Sequence, residues 1–385
     1  MKRLIPLVLF AAALGAWFAT APRPAGAQLP PRNQTDPDIT YLGARDEYLL
    51  VWAEDVGAGA AGATHRLMAK RVRTNGLPVG GAAGGAWALT GATSPSGYPG
   101  PDRGDQRWPA VIDGLVVWSE LRPGGTDYDL YAQRLFDNAR SYGRPTLIAG
   151  GPGNQSHADV AYGPANDWLV VWSEDTTDAG DVMGIRISPA VSPRGPAFPI
   201  AQGPGTAEDP SISRDPGGTD YFLILFTDNR AGNKDIYGTR VTEAGLPRGG
   251  SRGGQFPVVD TPQDDYAPAL VISSASASRG PQRGPGSPID PRDLVLWTTD
   301  DVLTGANVMG QRLRTNGLPV GASFLVAGGA GNQGWPGAAL RTQTTERPEW
   351  LAVWSDDALG SEDIMGVEIG LNGIIRRNPR PLATD

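Results

Sequence analysis

One seven-residue phrase occurs six times along the chain, and a chain that repeats itself this way folds as an array of like units. The copies are Asp129-Leu-Tyr-Ala-Gln-Arg-Leu135, Asp181-Val-Met-Gly-Ile-Arg-Ile187, Asp235-Ile-Tyr-Gly-Thr-Arg-Val241, Asn307-Val-Met-Gly-Gln-Arg-Leu313, Asp363-Ile-Met-Gly-Val-Glu-Ile369 and a weaker Arg66-Leu-Met-Ala-Lys-Arg-Val72. The third place is always Tyr or Met and the fourth always Ala or Gly. The alternation has period two, so each copy predicts a strand.

Upstream of every copy lies an apolar run ending in an aromatic: Trp52, Trp118, Trp172, Phe226, Trp297 and Trp354. Runs such as LVVW, LILF and LVLW do not alternate, which is the pattern of a strand buried on both faces. Another strand of each copy opens near Pro37, Pro109, Pro210, Pro268 or Pro336, with Ala158 in the remaining copy. One more follows a turn rich in Asn-Gly or Gly-Pro and ends in FPIA, FPVV or FLVA. The octapeptide RTNGLPVG stands unchanged at 73–80 and 314–321, and AGGPGNQ at 149–155 nearly matches AGGAGNQ at 327–333.

Four short antiparallel strands in each of six copies predict an all-β, six-bladed β-propeller with one repeat per blade. The blades are read as 37–92, 106–155, 156–207, 208–265, 266–333 and 334–385. The 53 glycines and 35 prolines agree with many short strands and exclude long helices. Copy one opens on its first strand and copy six ends on its fourth. The ring is therefore expected to close by side-chain packing, without a strand lent between the ends.

The fourth copy carries a family resemblance. Pro210-Ser-Ile-Ser-Arg-Asp-Pro-Gly217, Leu225-Phe-Thr-Asp-Asn-Arg230 and Gly232-Asn-Lys-Asp-Ile-Tyr237 together are similar to the repeat of TolB-type periplasmic propellers, which are also six-bladed. The resemblance is spread over all six copies and is sharp only in this one. It implies the blade architecture and export. TolB's N-terminal domain has no counterpart here, so its envelope role is not carried over.

Residues 1–27 read as a secretory signal: Lys2 and Arg3, an apolar run from Leu4 to Thr20, then Ala25-Gly26-Ala27 before Gln28. A secreted or periplasmic protein without a membrane span after cleavage is the expectation. Cleavage removes three of 33 cationic side chains, leaving 30 against 41 acidic ones, a net charge near −11. Such a surface repels nucleic acid and anionic lipid. The absence of cysteine excludes disulfides, thiolate zinc sites and a cysteine nucleophile.

Two loop sets are expected on one rim. The links between blades carry Asn33-Gln34, Asp105-Gln106, Asn154-Gln155, Glu208-Asp209, Asp264-Asp265 and Asn332-Gln333. The turns after the strand-end aromatics carry Asp55, Asp175, Asp228, Asp301 and Asp357. One reading is turn chemistry, because Asp and Asn fold back onto local backbone. The other is an acidic collar at the channel mouth that binds a protein, peptide or glycan ligand, or Ca2+, the ion suited to oxygen-only ligands. Trp108, Tyr266 and Trp335 stand beside the prolines of the same rim, as stacking platforms or as wedges between blades.

Enzyme readings meet shortages. The chain has only His65 and His157; Gly-x-Ser-x-Gly occurs once, at 249–253, and Ser-x-Asp-x-Gly once, at 213–217, and neither is repeated from copy to copy as a propeller box would be. A glycoside hydrolase or lyase needs only two carboxylates and stands as the alternative to a binding scaffold. The recurrent Arg71, Arg134, Arg186, Arg240 and Arg312 share one strand face and are expected to pair with acids of the adjacent blade. Two low-complexity stretches, 93–105 and 274–292, are read as insertions outside the core.

Overall fold

In a computed structural model the chain forms six four-stranded antiparallel sheets, each built from four strands consecutive in sequence. The structure describes residues 33–57, 65–79, 85–90, 104–112, 114–121, 124–163, 166–175, 180–203, 205–214, 221–242, 244–246, 254–272, 293–314, 316–341, 349–358 and 360–383. The signal segment and most of the two low-complexity stretches lie outside these residues. The first strands of the blades are β1 (Gln34–Leu42), β5 (Asp105–Ile112), β9 (Gln155–Tyr162), β13 (Ala207–Arg214), β17 (Asp265–Val271) and β21 (Gln333–Leu340). Each touches the first strand of both neighbouring blades, and β21 meets β1, so the six line the axis of a closed ring.

There is no central core. The apolar residues gather instead in six clusters, one per seam between adjacent blades. The second strands explain this. In β10 (Trp168–Glu174), Trp168, Val170 and Trp172 enter the seam with blade two, while Leu169 and Val171 enter the seam with blade four. A strand with a packed blade on either side has no wet face, hence the unbroken apolar runs. All six strand-end aromatics are at most 2% exposed. Three of the indole N–H groups are capped by acids two residues on: Trp118 donates to Glu120 (3.0 Å), Trp172 to Glu174 (3.2 Å) and Trp354 to Asp356 (3.1 Å).

The fourth place of the phrase is small for a local reason. A Cβ at Gly366 would stand 2.5 Å from Leu382 Cδ1, a side chain of the outermost strand, and 3.2 Å from the Ala352 carbonyl.

The ring closes as each inner seam does. Every blade's last strand stays in its own sheet, and β24 (Arg380–Ala383) pairs only with β23 (Asp363–Gly370). Across the closing seam Leu50 and Trp52 pack on Leu351, Val353 and Leu382. The Gln34 N–H donates to the Glu362 carbonyl (2.9 Å), and the Glu362 N–H donates back to Asn33 Oδ1 (3.5 Å). The same staple recurs: Tyr128 N–H to Asn154 Oδ1 (3.0 Å), Lys234 N–H to Asp264 Oδ1 (2.9 Å), Ala306 N–H to Asn332 Oδ1 (3.3 Å).

Gly337 stands at the tightest point of this closure. A Cβ there would come within 2.9 Å of the Pro37 carbonyl oxygen and 3.2 Å of Asp38 Cα. Backbone cannot swing aside as a side chain can, so Gly337→Ala is expected to lower stability by about 1–3 kcal/mol. Urea unfolding of both proteins measures this, and an unchanged midpoint would show that the seam yields freely.

Two sequence expectations need correction. Blade one begins at Gln34 rather than at 37, because residues before the proline also pair with the second strand. Two of the recurrent arginines find acids within their own blade: Arg71 meets Glu47 (3.3 Å) and Arg186 meets Asp167 (2.6 Å). Those acids sit two residues from the direct strand partners Leu49 and Leu169, a diagonal that a long guanidinium side chain spans. Arg134 does reach the next blade, but onto the Pro189 carbonyl (2.8 Å).

Candidate functional site

Each axial strand carries a β-bulge near its start, where three steps along the first strand oppose two along the second. The bulged residue is left-handed in all six: Asp36 (φ 54), Trp108 (49), His157 (48), Asp209 (49), Ala267 (51) and Trp335 (52). None is glycine, so each holds a backbone conformation that costs on the order of 1–2 kcal/mol. In five blades a proline follows, and having no N–H it leaves no unpaired donor in the bulge. The preceding blade supports three of these turns with a hydroxyl. The Asp209 N–H donates to Ser173 (2.9 Å), that of Ala267 to Thr227 (3.1 Å) and that of Trp335 to Thr298 (3.0 Å).

The bulges line a cavity of about 110 Å³ on the axis. Around it runs an arc of rings. Trp108 lies 5.1 Å from Tyr128 and 4.4 Å from His157, centroid to centroid. On its other side His157 stacks on Trp335 at 5.0 Å and 15°, and Trp335 meets Tyr266 edge-on at 6.3 Å. The tyrosine hydroxyls are anchored outward, Tyr128 on Asp105 (2.5 Å) and Tyr266 on Asp300 (3.1 Å). A larger cleft of about 400 Å³ lies at the periphery by Arg71, Trp87 and Arg140, but no perturbed acid or base lines it. The axial site is where ionisable groups converge.

Its electrostatics are those of desolvation. Burial pushes the Asp209 carboxyl up to about 7, with Glu208 beside it adding to the rise. Burial likewise raises Asp36, against the pull of His157, and raises Glu362, with Asp36 contributing. Burial lowers His157 to about 4, so its imidazole is neutral at physiological pH. His157 Nδ1 stands 3.5 Å from Asp209 Oδ1. The rim's cations are already engaged: Arg107 with Asp105 (2.9 Å) and Lys234 with Glu208 (2.7 Å).

One step deeper lies a second tier. Asp38 accepts from the Val111 N–H (2.7 Å), and Asp159 from the Ile212 N–H and Ser211 hydroxyl (both 2.8 Å). Each carboxylate thereby ties its blade to the next. Burial raises Asp38 to about 8, reinforced by the like charge of Asp159, and raises Asp159 to about 6.

Of the residues singled out from sequence, Trp108 and Trp335 line the axial cavity. The turn aspartates, with Asn154, Gln155, Asn332 and Gln333, lie outside its lining. Asp55 accepts from the Gly57 N–H (2.8 Å) and Asp301 from Leu303 (2.7 Å). Asp228 takes the Arg230 guanidinium and N–H, the latter at 2.8 Å. Asp175 and Asp357 receive the side-chain amides of Asn154 (2.6 Å) and Asn332 (2.9 Å), locking each turn to the link beside it. Gln155 donates to Glu174 (2.8 Å) and Gln333 to the Ala330 carbonyl (3.1 Å). Among the described residues no three His, Asp or Glu side chains form a metal-binding group.

Asp36 and His157 were not singled out as site residues, and Asp209 stood only among the acids of the links between blades. The signal was the column before the proline. Aligned across the six copies it reads Asp, Trp, His, Asp, Ala, Trp, in a repeat whose strand-end aromatic and small fourth place each hold one residue class.

No protein-family model matches the chain, and no curated protein does. Among solved structures the fold is similar to that of a protein of unknown function from Dyadobacter fermentans, at 13% identity and TM-score 0.58, covering 88% of this chain and 94% of that one. A protein assigned as TolB from Agrobacterium tumefaciens aligns at 14% identity and TM-score 0.41, over 78% and 92% of the two chains. A thermostable family-43 glycoside hydrolase aligns at 12% identity and TM-score 0.46, over 82% and 98%. These are likenesses of fold.

Proposed function

We propose that the chain is an exported binding scaffold whose peptide or glycan ligand docks at the axial mouth. What carries the reading is the meeting of the Trp108, His157 and Trp335 rings with Asp36 and Asp209 around one cavity. Among the described residues neither carboxylate forms an ion pair with Lys or Arg; Asp36 meets Thr35 Oγ1 (3.0 Å) and Asp209 the neutral His157. Desolvated polar groups beside apolar faces are what a recognition site offers, and what packing alone would avoid. Export rests on the signal-like segment at 1–27 and on the TolB-type resemblance of the fourth repeat. Among the described residues no helix is long and apolar enough to cross a membrane.

The alternative, a carbohydrate-active enzyme, draws support from one observation. A carboxyl raised to about 7, as at Asp209, is protonated often enough near neutral pH to act as a general acid. Both readings are tested by screening the mature chain, from Gln28, against glycan and peptide arrays. Ligands of the mouth should change tryptophan fluorescence, and Trp335→Ala should weaken them about tenfold or more, as loss of a central aromatic anchor does. Binding indifferent to both Trp108→Ala and Trp335→Ala would remove the mouth from consideration. Release of sugar products, abolished by Asp209→Asn with binding retained, would establish the enzyme instead.

A further inference from the structure

Resting on the reading of the mouth as a binding site, we propose that the group it takes is a guanidinium. The cavity is bordered by flat aromatic faces: His157 contacts the indoles of Trp108 (4.4 Å, 36°) and Trp335 (5.0 Å, 15°), and all three rings line it. Its volume is about 110 Å³. On such a measure one water needs roughly 10–15 Å³, so a head group of several heavy atoms has room.

The site also lacks a charge. Asp36 and Asp209 face the cavity, and Asp209 is only 8% exposed. The nearest cations, Arg107 and Lys234, are held by Asp105 and Glu208. A sugar offers the ionised form of these carboxyls no counter-charge, whereas a cation would stabilise it. An ammonium would supply the charge, but it is compact, strongly hydrated and has no flat face to lay on the rings. A guanidinium satisfies both demands: it stacks on aromatic faces, sheds water more readily and offers a fork of donors to a carboxylate. This chain already stacks guanidinium on indole elsewhere, Arg140 at 4.5 Å over Trp87 and Arg134 at 5.2 Å over Trp168.

The group has two sources, a free arginine-like molecule or an arginine side chain on a peptide. Titration of the mature chain with N-acetyl-arginine methylamide and its neutral isostere, the citrulline compound, isolates the charge. A pair of glycine-flanked pentapeptides, one with central arginine and one with citrulline, isolates the source. The expected result is saturable change in tryptophan fluorescence, with arginine about tenfold or more tighter than citrulline, one charge-assisted hydrogen bond's worth. Asp209→Asn should erase that preference while the melting temperature holds, and Asp36→Asn serves if the first variant is unstable. Tighter binding of the pentapeptide assigns the peptide source, and equal binding the free one. Citrulline binding as well as arginine, or a preference that survives both substitutions, overturns the proposal. If arginine fails while an array ligand still depends on Trp335, the guanidinium is wrong and the mouth stands. If no ligand depends on Trp335, both readings fall.

Discussion

Trp172→Ala is expected to destabilise the protein by about 3–5 kcal/mol, the range for removing a large core aromatic. Trp172 is 1% exposed in the seam between blades two and three, among Ala158, Val160 and Ile185. The substitution leaves a void there and also strips Glu174 of the indole N–H it accepts at 3.2 Å. Because the core is divided into six seams, no neighbouring cluster can flow in to fill it. Guanidinium or urea denaturation measures the loss. A cost below about 1 kcal/mol, the scale of an ordinary surface change, would mean that the seam is not close-packed.

The second large effect is a stability that falls as pH rises. Asp38, Asp159 and Asp209 have folded-state values near 8, 6 and 7, all above the ordinary carboxyl value of 3.8. A raised acid binds its proton more tightly when folded, so it favours the fold at low pH and loses that advantage as pH climbs through its folded value. His157, lowered from 6.5 to about 4, acts oppositely, but only below 6.5. From pH 6.5 to 8 the acids act alone, and Asp38 can remove up to about 2 kcal/mol at 1.36 kcal/mol per unit. Asp38→Asn keeps an oxygen for the Val111 N–H and discards the charge. The variant should therefore exceed the wild type by a margin that grows steadily from pH 5 to pH 8 and levels off above it. Thermal melts across that range decide the matter, and a wild-type stability that stays level or climbs above pH 6.5 would refute it.

Much of the fold was legible because the repeat acts through period and burial, which are properties of sequence. The apolar runs ending in Trp118 or Trp354 announce strands wet on neither face, and the structure places them in the seams. The site was legible only in part, because residues sharing a rim differ in distance from the axis. Asp175 and His157 both stand near one end of their strands, yet one turns onto Asn154 and the other onto the axis. Trp108 and Trp335 could be picked out by their rings, while Asp36 and Asp209 looked like any turn acid. What separates them is the left-handed bulge, a backbone feature that asparagine, aspartate, histidine or glycine would normally signal and that tryptophan and alanine conceal.

The axial ring takes one residue from each blade, while the seams depend on residues spread through all four strands. Exchange of a whole repeat would thus rewrite a single sector of the mouth and leave the other five untouched. The strand-end aromatic, the small fourth place and the rim staple would travel with the exchanged unit. Such a molecule can change the lining of its axial mouth by exchanging blades, each seam being built on the same pattern.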